Sequence, residues 1–423
     1  MKLRGGRAAH RIFCTLIAAL FAAAPLAAQT SRDDRWRQDL TYLATELPRR
    51  HVNLFFQLAR PTFDAAVQDL DRAIPSLTDA QVMVGLARIV ALAGDGHTNL
   101  WLTNTATGFR RFPLTLYWFQ DGLFVTRASD TYARAVGVRL LRIGDNDVER
   151  IYGAVSPLIS HENDYWVRSA SPDYFVIPEV LQALGFIPSA NSASFTLQDI
   201  YGKVFTLDIA AVPLTASLNY VLNPDPAQGF LPLYRINTSQ NYWFQYLDNI
   251  KTLYFAYNQA AEMPGVPFAS FAQQLQAVFS SQRIDRLVVD LRNNTGGNTA
   301  VLQPFINEFI SSGGASALRG RLFVIIGRRT YSTALIHAIQ FKQDMGAILV
   351  GEPTGNKPNH PGNVLNFTLP NCGLTVNYST KFFTLWPTDT DSLYPDVAME
   401  LWSSDIFARH DPFFAAVLAY QGN

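Results

Sequence analysis

Ile284-Asp285-Arg286-Leu287-Val288-Val289-Asp290-Leu291-Arg292-Asn293-Asn294-Thr295-Gly296-Gly297 reads as an apolar strand running into a polar turn that ends on two glycines. An unbroken run such as Leu287-Val288-Val289 suits a strand covered on both faces, the setting of a parallel sheet flanked by helices. Outward from it the pattern repeats. Thr252 to Tyr257 is predicted as strand, Phe268 to Phe279 and Val301 to Ile310 as helices, Arg321 to Ile326 as strand, Thr333 to Met345 as helix and Ala347 to Val350 as strand. This series predicts an α/β core over 251–423. Right-handed crossovers then put its β-to-α turns along one sheet edge, where the chemistry is expected.

Upstream, 29–105 reads as a helical region. Trp36, Leu40, Leu43 and Leu47 recur at helical spacing, as do Phe63, Val67, Leu70 and Ile74 after Pro61. Thr78 and Gln81 form a capping box ahead of Val82, Leu86, Ile89, Val90 and Ala93. Gly94-Asp95-Gly96 stops that helix, leaving His97-Thr98 before a short strand expected at Leu100 to Leu102. The middle region, 106–250, reads as mixed α+β. A hairpin is expected over Pro113 to Phe119 and Leu123 to Arg127, a strand at Gly137 to Ile143, a helix near Val148 to Val155 and strands around Tyr201-Gly202-Lys203. Val138 to Glu149 reads either as a plain strand and turn or as a reduced PDZ-like element offering a sheet edge to a peptide.

The chain has 423 residues, 48% of them hydrophobic and 16% charged, which excludes a disordered chain. Lys and Arg number 34 against 34 Asp and Glu, so no basic field attracts nucleic acid. Lys2, Arg4, Arg7 and Arg11 precede an apolar stretch from Ile12 to Ala24 and small residues at Pro25-Leu26-Ala27-Ala28. That order predicts a secretory signal peptide over 1–28, with export to the periplasm or medium and no stable membrane insertion after its removal. Cleavage would remove Cys14 and leave Cys372 alone, so a disulfide or multi-cysteine metal site is not expected. Phosphate-loop, dinucleotide and His-Glu-x-x-His motifs are missing, and neither a metal nor another cofactor is expected.

Three turns at the expected edge hold unusual residues. Adjacent glycines at Gly296-Gly297 can aim N–H groups outward, as an oxyanion site requires. Ser332 follows an apolar strand and opens a helix; serine there is more often a cap, but the helix dipole and the Thr333 N–H would also stabilise a developing negative charge. Gly351-Glu352-Pro353-Thr354-Gly355-Asn356-Lys357 follows the next strand.

In this order and spacing, with Gly94-Asp95-Gly96-His97-Thr98 upstream, the turns resemble the carboxyl-terminal processing (tail-specific) serine protease family, particularly its tricorn-like branch. The resemblance implies a C-terminal protease core of the ClpP/crotonase-like type and an exported serine endopeptidase acting on peptide or protein substrates. It implies Ser332 as nucleophile, His97 as general base, Glu352 as supporting carboxylate, and the N–H groups of Gly296 or Gly297 and of Thr333 as the oxyanion hole. Asp95 is a second source for the orienting carboxylate. The family's other branch uses a Ser-Lys dyad, which makes Lys357 the alternative base, although its flanks Asn356 and Pro358 depart from that branch. Leu335 also stands where members commonly carry Glu. A non-catalytic carrier of apolar ligands or peptides on the same fold is the competing class.

Overall fold

The computed structural model describes residues 30–225, 227 and 229–422, so the expected signal segment lies outside the described residues. Six strands lie side by side in the C-terminal sheet: Tyr242–Leu247, Thr252–Tyr257, Arg286–Asp290, Leu322–Ile326, Ile348–Gly351 and Val397–Ala398. The first pair is antiparallel and the rest are parallel. Alternate side chains serve two separate cores. Leu287, Val289, Val324 and Ile326 pack under the helices Phe268–Ser281, Gln303–Ser311 and Thr333–Met345. Val288, Phe323 and Ile325 pack against Phe119, Trp243 and Phe413 on the other face. Burial on both faces is why these strands are continuously apolar. The core sheet starts earlier than the expected boundary at 251: Tyr242–Leu247 pairs along its whole length with Thr252–Tyr257.

In the middle region the strands run Leu114–Phe119, Gly122–Ser129, Arg139–Ile143, Ser192–Gln198 and Val204–Ala210 in spatial order. Arg139–Ile143 has a neighbour on each side. The sheet edge expected of a PDZ-like element at this strand is therefore not free. Leu43, Leu47, Leu86 and Val90 of the N-terminal helices share one core with Leu140, Ile143, Phe195 and Leu197. Among the described residues no helix is long and apolar enough to cross a membrane.

One antiparallel pair, His360–Thr368 with Thr375–Phe383, carries the C-terminal part across to the helical region. Its Phe367, Leu374, Val376 and Tyr378 bury themselves in the N-terminal core. The Asp39 carboxylate accepts the backbone N–H groups of Asn371 and Cys372 at 2.8 and 2.8 Å, pinning the far turn. Asn99 and Asn377 exchange backbone hydrogen bonds of 3.2 and 2.9 Å. The strand expected at Leu100 to Leu102 is instead a turn held by burial of Leu100 and Leu102, and Asn99 makes the extended contact. This arm folds the His97 segment over the sheet edge.

Candidate active site

Ser332 joins the end of strand Leu322–Ile326 to helix Thr333–Met345 with φ 53° and ψ −124°, and its side chain makes no capping hydrogen bond. A non-glycine residue held there stores on the order of 1–3 kcal/mol of strain, and such a sharp strand–turn–helix elbow exposes a hydrolase nucleophile. Four bonds fix the turn. Thr330 Oγ1 accepts from the Gly327 N–H and donates to the Leu291 carbonyl, each at 3.0 Å. The Tyr331 N–H donates to the Asn294 carbonyl at 3.1 Å, and the Ser332 N–H donates to Asn356 Oδ1 at 3.0 Å.

The double glycine lies against this elbow. Thr333 Oγ1 donates to the Gly297 carbonyl at 2.7 Å, tying the two turns together. The Gly296 N–H is engaged by Asn294 Oδ1 at 2.8 Å. Among the described residues the N–H groups of Gly297 and Thr333 have no protein acceptor, so they are the two available donors. Gly296 has φ 106°, and a Cβ there would lie 2.6 Å from Ser332 Cβ and 3.1 Å from the Thr333 nitrogen. Gly296→Ala, whose methyl would push Ser332 and the Thr333 N–H out of place, is therefore expected to lower kcat by about 10²–10³-fold, the cost of misplacing one donor. Steady-state kinetics beside a thermal melt check this; an unchanged kcat in folded protein contradicts it.

His97 is held by a buried hub. Asp95 Oδ2 accepts from Thr98 Oγ1 at 2.6 Å and Ser379 Oγ at 2.5 Å, and pairs with His51 Nε2 at 3.1 Å. Asp95 Oδ1 accepts the His97 N–H at 2.9 Å. Burial alone would raise the Asp95 pKa, but hydrogen bonds with His51 and His97 outweigh it and hold the carboxyl well below the usual range. His97 Nδ1 lies 3.7 Å from Asp95 Oδ1 and 3.4 Å from the Tyr331 hydroxyl. Its ring stacks on His360 at 5.3 Å, and its Nε2 is buried without a protein partner. Burial, then the neighbouring His97, pushes His360 down to about 3, so that ring stays neutral. A Cβ on Gly96 would lie 2.1 Å from the Tyr331 hydroxyl, which is why the residue between Asp95 and His97 is glycine. Gly96→Ala is expected to displace Tyr331 and His97 and lower kcat/KM about 10²-fold with little loss of folded protein. Activity beside circular dichroism tests this; wild-type activity would refute it.

Not every expected residue arrives here. Glu352 is buried in an ion pair with Arg328, whose Nε lies 2.8 Å from Glu352 Oε1, and it lines a different cavity from His97. Lys357 pairs with Asp389 at 3.0 Å and lines a cavity separate from the one beside His97. The carboxylates beside His97 are Asp95 and Glu162. Nothing local in the sequence links Glu162 to Gly96. Both Glu162 oxygens are buried without a hydrogen bond. Burial and then the Asp95 charge push its pKa well above the usual carboxylate range. Asp95, His97 and Glu162 each bring a donor atom within 4.8 Å of the others, which has the spacing of a metal triad. Of the three, Asp95 already takes part in four protein hydrogen bonds, and the Tyr331 hydroxyl packs close to Gly96 beside it.

A cleft of about 390 Å³ opens beside His97, walled by Trp101, Trp166, Tyr174, Thr295, Arg329 and Tyr331. Residues 252–381, which carry the double glycine, the Ser332 elbow and Glu352, match the family model described as peptidase family S41. Over that segment the chain is similar to S41 peptidases. The family recognised from the three turns is thereby upheld. Mature CPAF complexed with lactacystin superposes on this chain with a TM-score of 0.63 at 12% identity, over 92% of this chain and 97% of that one. Mature CPAF alone gives a TM-score of 0.62 at 14% identity, over 92% of this chain and 99% of that one. At such identities the likeness is one of fold, and it extends over the helical and middle regions as well as the core. No curated protein matches the chain.

Proposed function

We propose that this protein is an exported endopeptidase of the S41 type that cleaves peptide bonds through an acyl-enzyme on Ser332. The observation that carries the reading is the strained Ser332 backbone, set against two unengaged N–H groups at the start of a helix. A carrier protein has no use for a serine held in this conformation, which weighs against the non-catalytic reading. In the proposed mechanism His97 Nε2 takes the Ser332 hydroxyl proton as Oγ attacks the scissile carbonyl. The N–H groups of Gly297 and Thr333 receive the oxyanion. Collapse breaks the C–N bond, His97 passes its proton to the leaving amine, and water then hydrolyses the ester by the same route.

No hydrogen bond joins His97 to Ser332, so substrate binding must tighten the pair, as is common at unliganded sites. Asp95, beside His97 Nδ1, is better placed than Glu352 to orient and stabilise the imidazolium. Lys357, engaged by Asp389 in a separate cavity, likewise weighs against a Ser-Lys dyad.

A fluorophosphonate probe tests the nucleophile. It is expected to add one phosphonyl group to the peptide carrying Ser332, and labelling elsewhere or none would reject the reading. For export, an amino terminus at Gln29 in the mature protein is expected; one at Met1 would count against it.

A further inference from the structure

Glu162 has no part in the mechanism above, yet its segment is firmly held. The next residue, Asn163, accepts the Trp166 N–H at 3.0 Å and donates to the Thr354 and Asp391 carbonyls at 3.0 and 2.6 Å. That anchor brings the Glu162 carboxylate against Gly96: its Oε2 lies 3.0 Å from where a Cβ on Gly96 would stand. Both carboxylate oxygens are buried without a hydrogen-bond partner, and so is Nε2 of His97, a residue 6% exposed. Buried polar atoms in folded proteins are nearly always satisfied, so several that converge on one point are explained by a ligand that takes up lone pairs. Two carboxyl groups beside one imidazole favour a cation in that role.

The donor set fits a transition-metal ion. Asp95, His97 and Glu162 each bring one donor atom within 4.8 Å of the others. Ligand atoms on a tetrahedral zinc lie about 3.4 Å apart, given metal–ligand distances of about 2.1 Å. His97 Nδ1 and Asp95 Oδ1, at 3.7 Å, are already near that spacing. Among the described residues Asp95 Oδ1 accepts only the His97 N–H, which leaves it lone-pair capacity for an ion. Its other oxygen is tied to His51, Thr98 and Ser379, the kind of outer bonds that hold a ligating carboxylate in place. An imidazole nitrogen with two carboxylates suits zinc, whereas magnesium and calcium prefer oxygen alone. A cavity of about 530 Å³, separate from the cleft beside His97, has Glu162 in its wall and brings an ion to within one side chain of the donors.

We propose that Asp95, His97 and Glu162 form a binding site for one zinc-like divalent ion, and that its occupancy switches the peptidase off. An ion on His97 Nε2 takes the lone pair that would accept the Ser332 proton. An ion on Nδ1 leaves the neutral ring with its proton on Nε2, which then has no lone pair to offer. The effect on catalysis rests on the Ser332–His97 reading; the ion site does not.

Zinc chloride titrated into untagged full-length Ser332→Ala protein tests the site with no cleavage intervening. Calorimetry is expected to give one ion per chain with a Kd below about 10 µM. Diffraction at the zinc absorption edge is expected to put the anomalous peak among the three side chains. Glu162→Gln, which keeps the shape and removes the charge, should weaken zinc by more than about tenfold with an unchanged circular dichroism spectrum. The proposal is overturned by no binding, by a peak elsewhere, as at the exposed His410–Asp405 pair, or by undiminished binding in folded Glu162→Gln. With wild-type protein, zinc is expected to slow fluorophosphonate labelling of Ser332 and a chelator to restore it. Zinc seated on the three residues with labelling unslowed overturns the switch. Failure to label Ser332 even without zinc rejects the nucleophile, while calorimetry and diffraction still decide the ion site.

Discussion

Ser332→Ala is expected to lower kcat/KM by roughly 10⁴–10⁶-fold while leaving the melting temperature within a few degrees of wild type. The size of the effect follows from the elbow. Ser332 sits at φ 53° in a turn fixed by Thr330, Asn294 and Asn356, so no neighbouring hydroxyl can take its position. Stability should change little, because alanine suffers the same backbone strain and the lost hydroxyl has no bond in the cap. Mass spectrometry of a mixed peptide library, treated with wild type and variant prepared identically, reads the result. Cleavage surviving unchanged in the variant would assign the activity to another nucleophile or to a contaminant.

Arg292→Leu is expected to cost about 3–5 kcal/mol of stability, the range for removing one partner of a buried ion pair. Arg292 donates to both oxygens of Asp411 at 2.9 Å and lies 2.9 Å from Asp290 Oδ2, with all three side chains buried. The Tyr254 hydroxyl adds a 2.6 Å bond to Asp290, and the guanidinium lies 4.3 Å from the Tyr234 ring centroid. Leucine would leave two carboxylates in an apolar interior, and burial already raises the Asp290 pKa with Arg292 present. The damage should reach activity too, because Asp290 and Arg292 open the turn that delivers Gly296 and Gly297. Urea denaturation measures the change, and a loss below about 1 kcal/mol would show that the network is not a structural tie. Adding Asp411→Asn to the variant should recover part of the stability by removing one unpaired charge.

The strand–helix series of the core was legible because its information is local. Apolar strands covered on both faces, a capping box at Thr78 and Gln81 and glycine breakers each act within a few residues, and the observed helix Thr333–Met345 has the predicted bounds. The double-glycine turn and the serine at the elbow were legible for the same reason, and with them the family. The strain at Ser332 was not, since a serine that caps a helix and one held at positive φ are written with the same letter.

What surrounds His97 was decided by tertiary structure. Glu352 had the chemistry for a supporting carboxylate and the right place in the motif order, but Arg328, close by in the fold, claims it. Asp95 and Glu162 take the positions beside the imidazole, and the Tyr331 hydroxyl reaches His97 across 234 residues of chain. The arm 360–383 that brings these parts together is held by Asp39, Asn99 and Ser379. Local patterning fixed which segments are strands and helices and which turns line the sheet edge. The partner of each buried charge emerged only from packing, because a desolvated carboxylate is satisfied by whichever donor the fold brings within hydrogen-bond reach, whatever its distance in sequence.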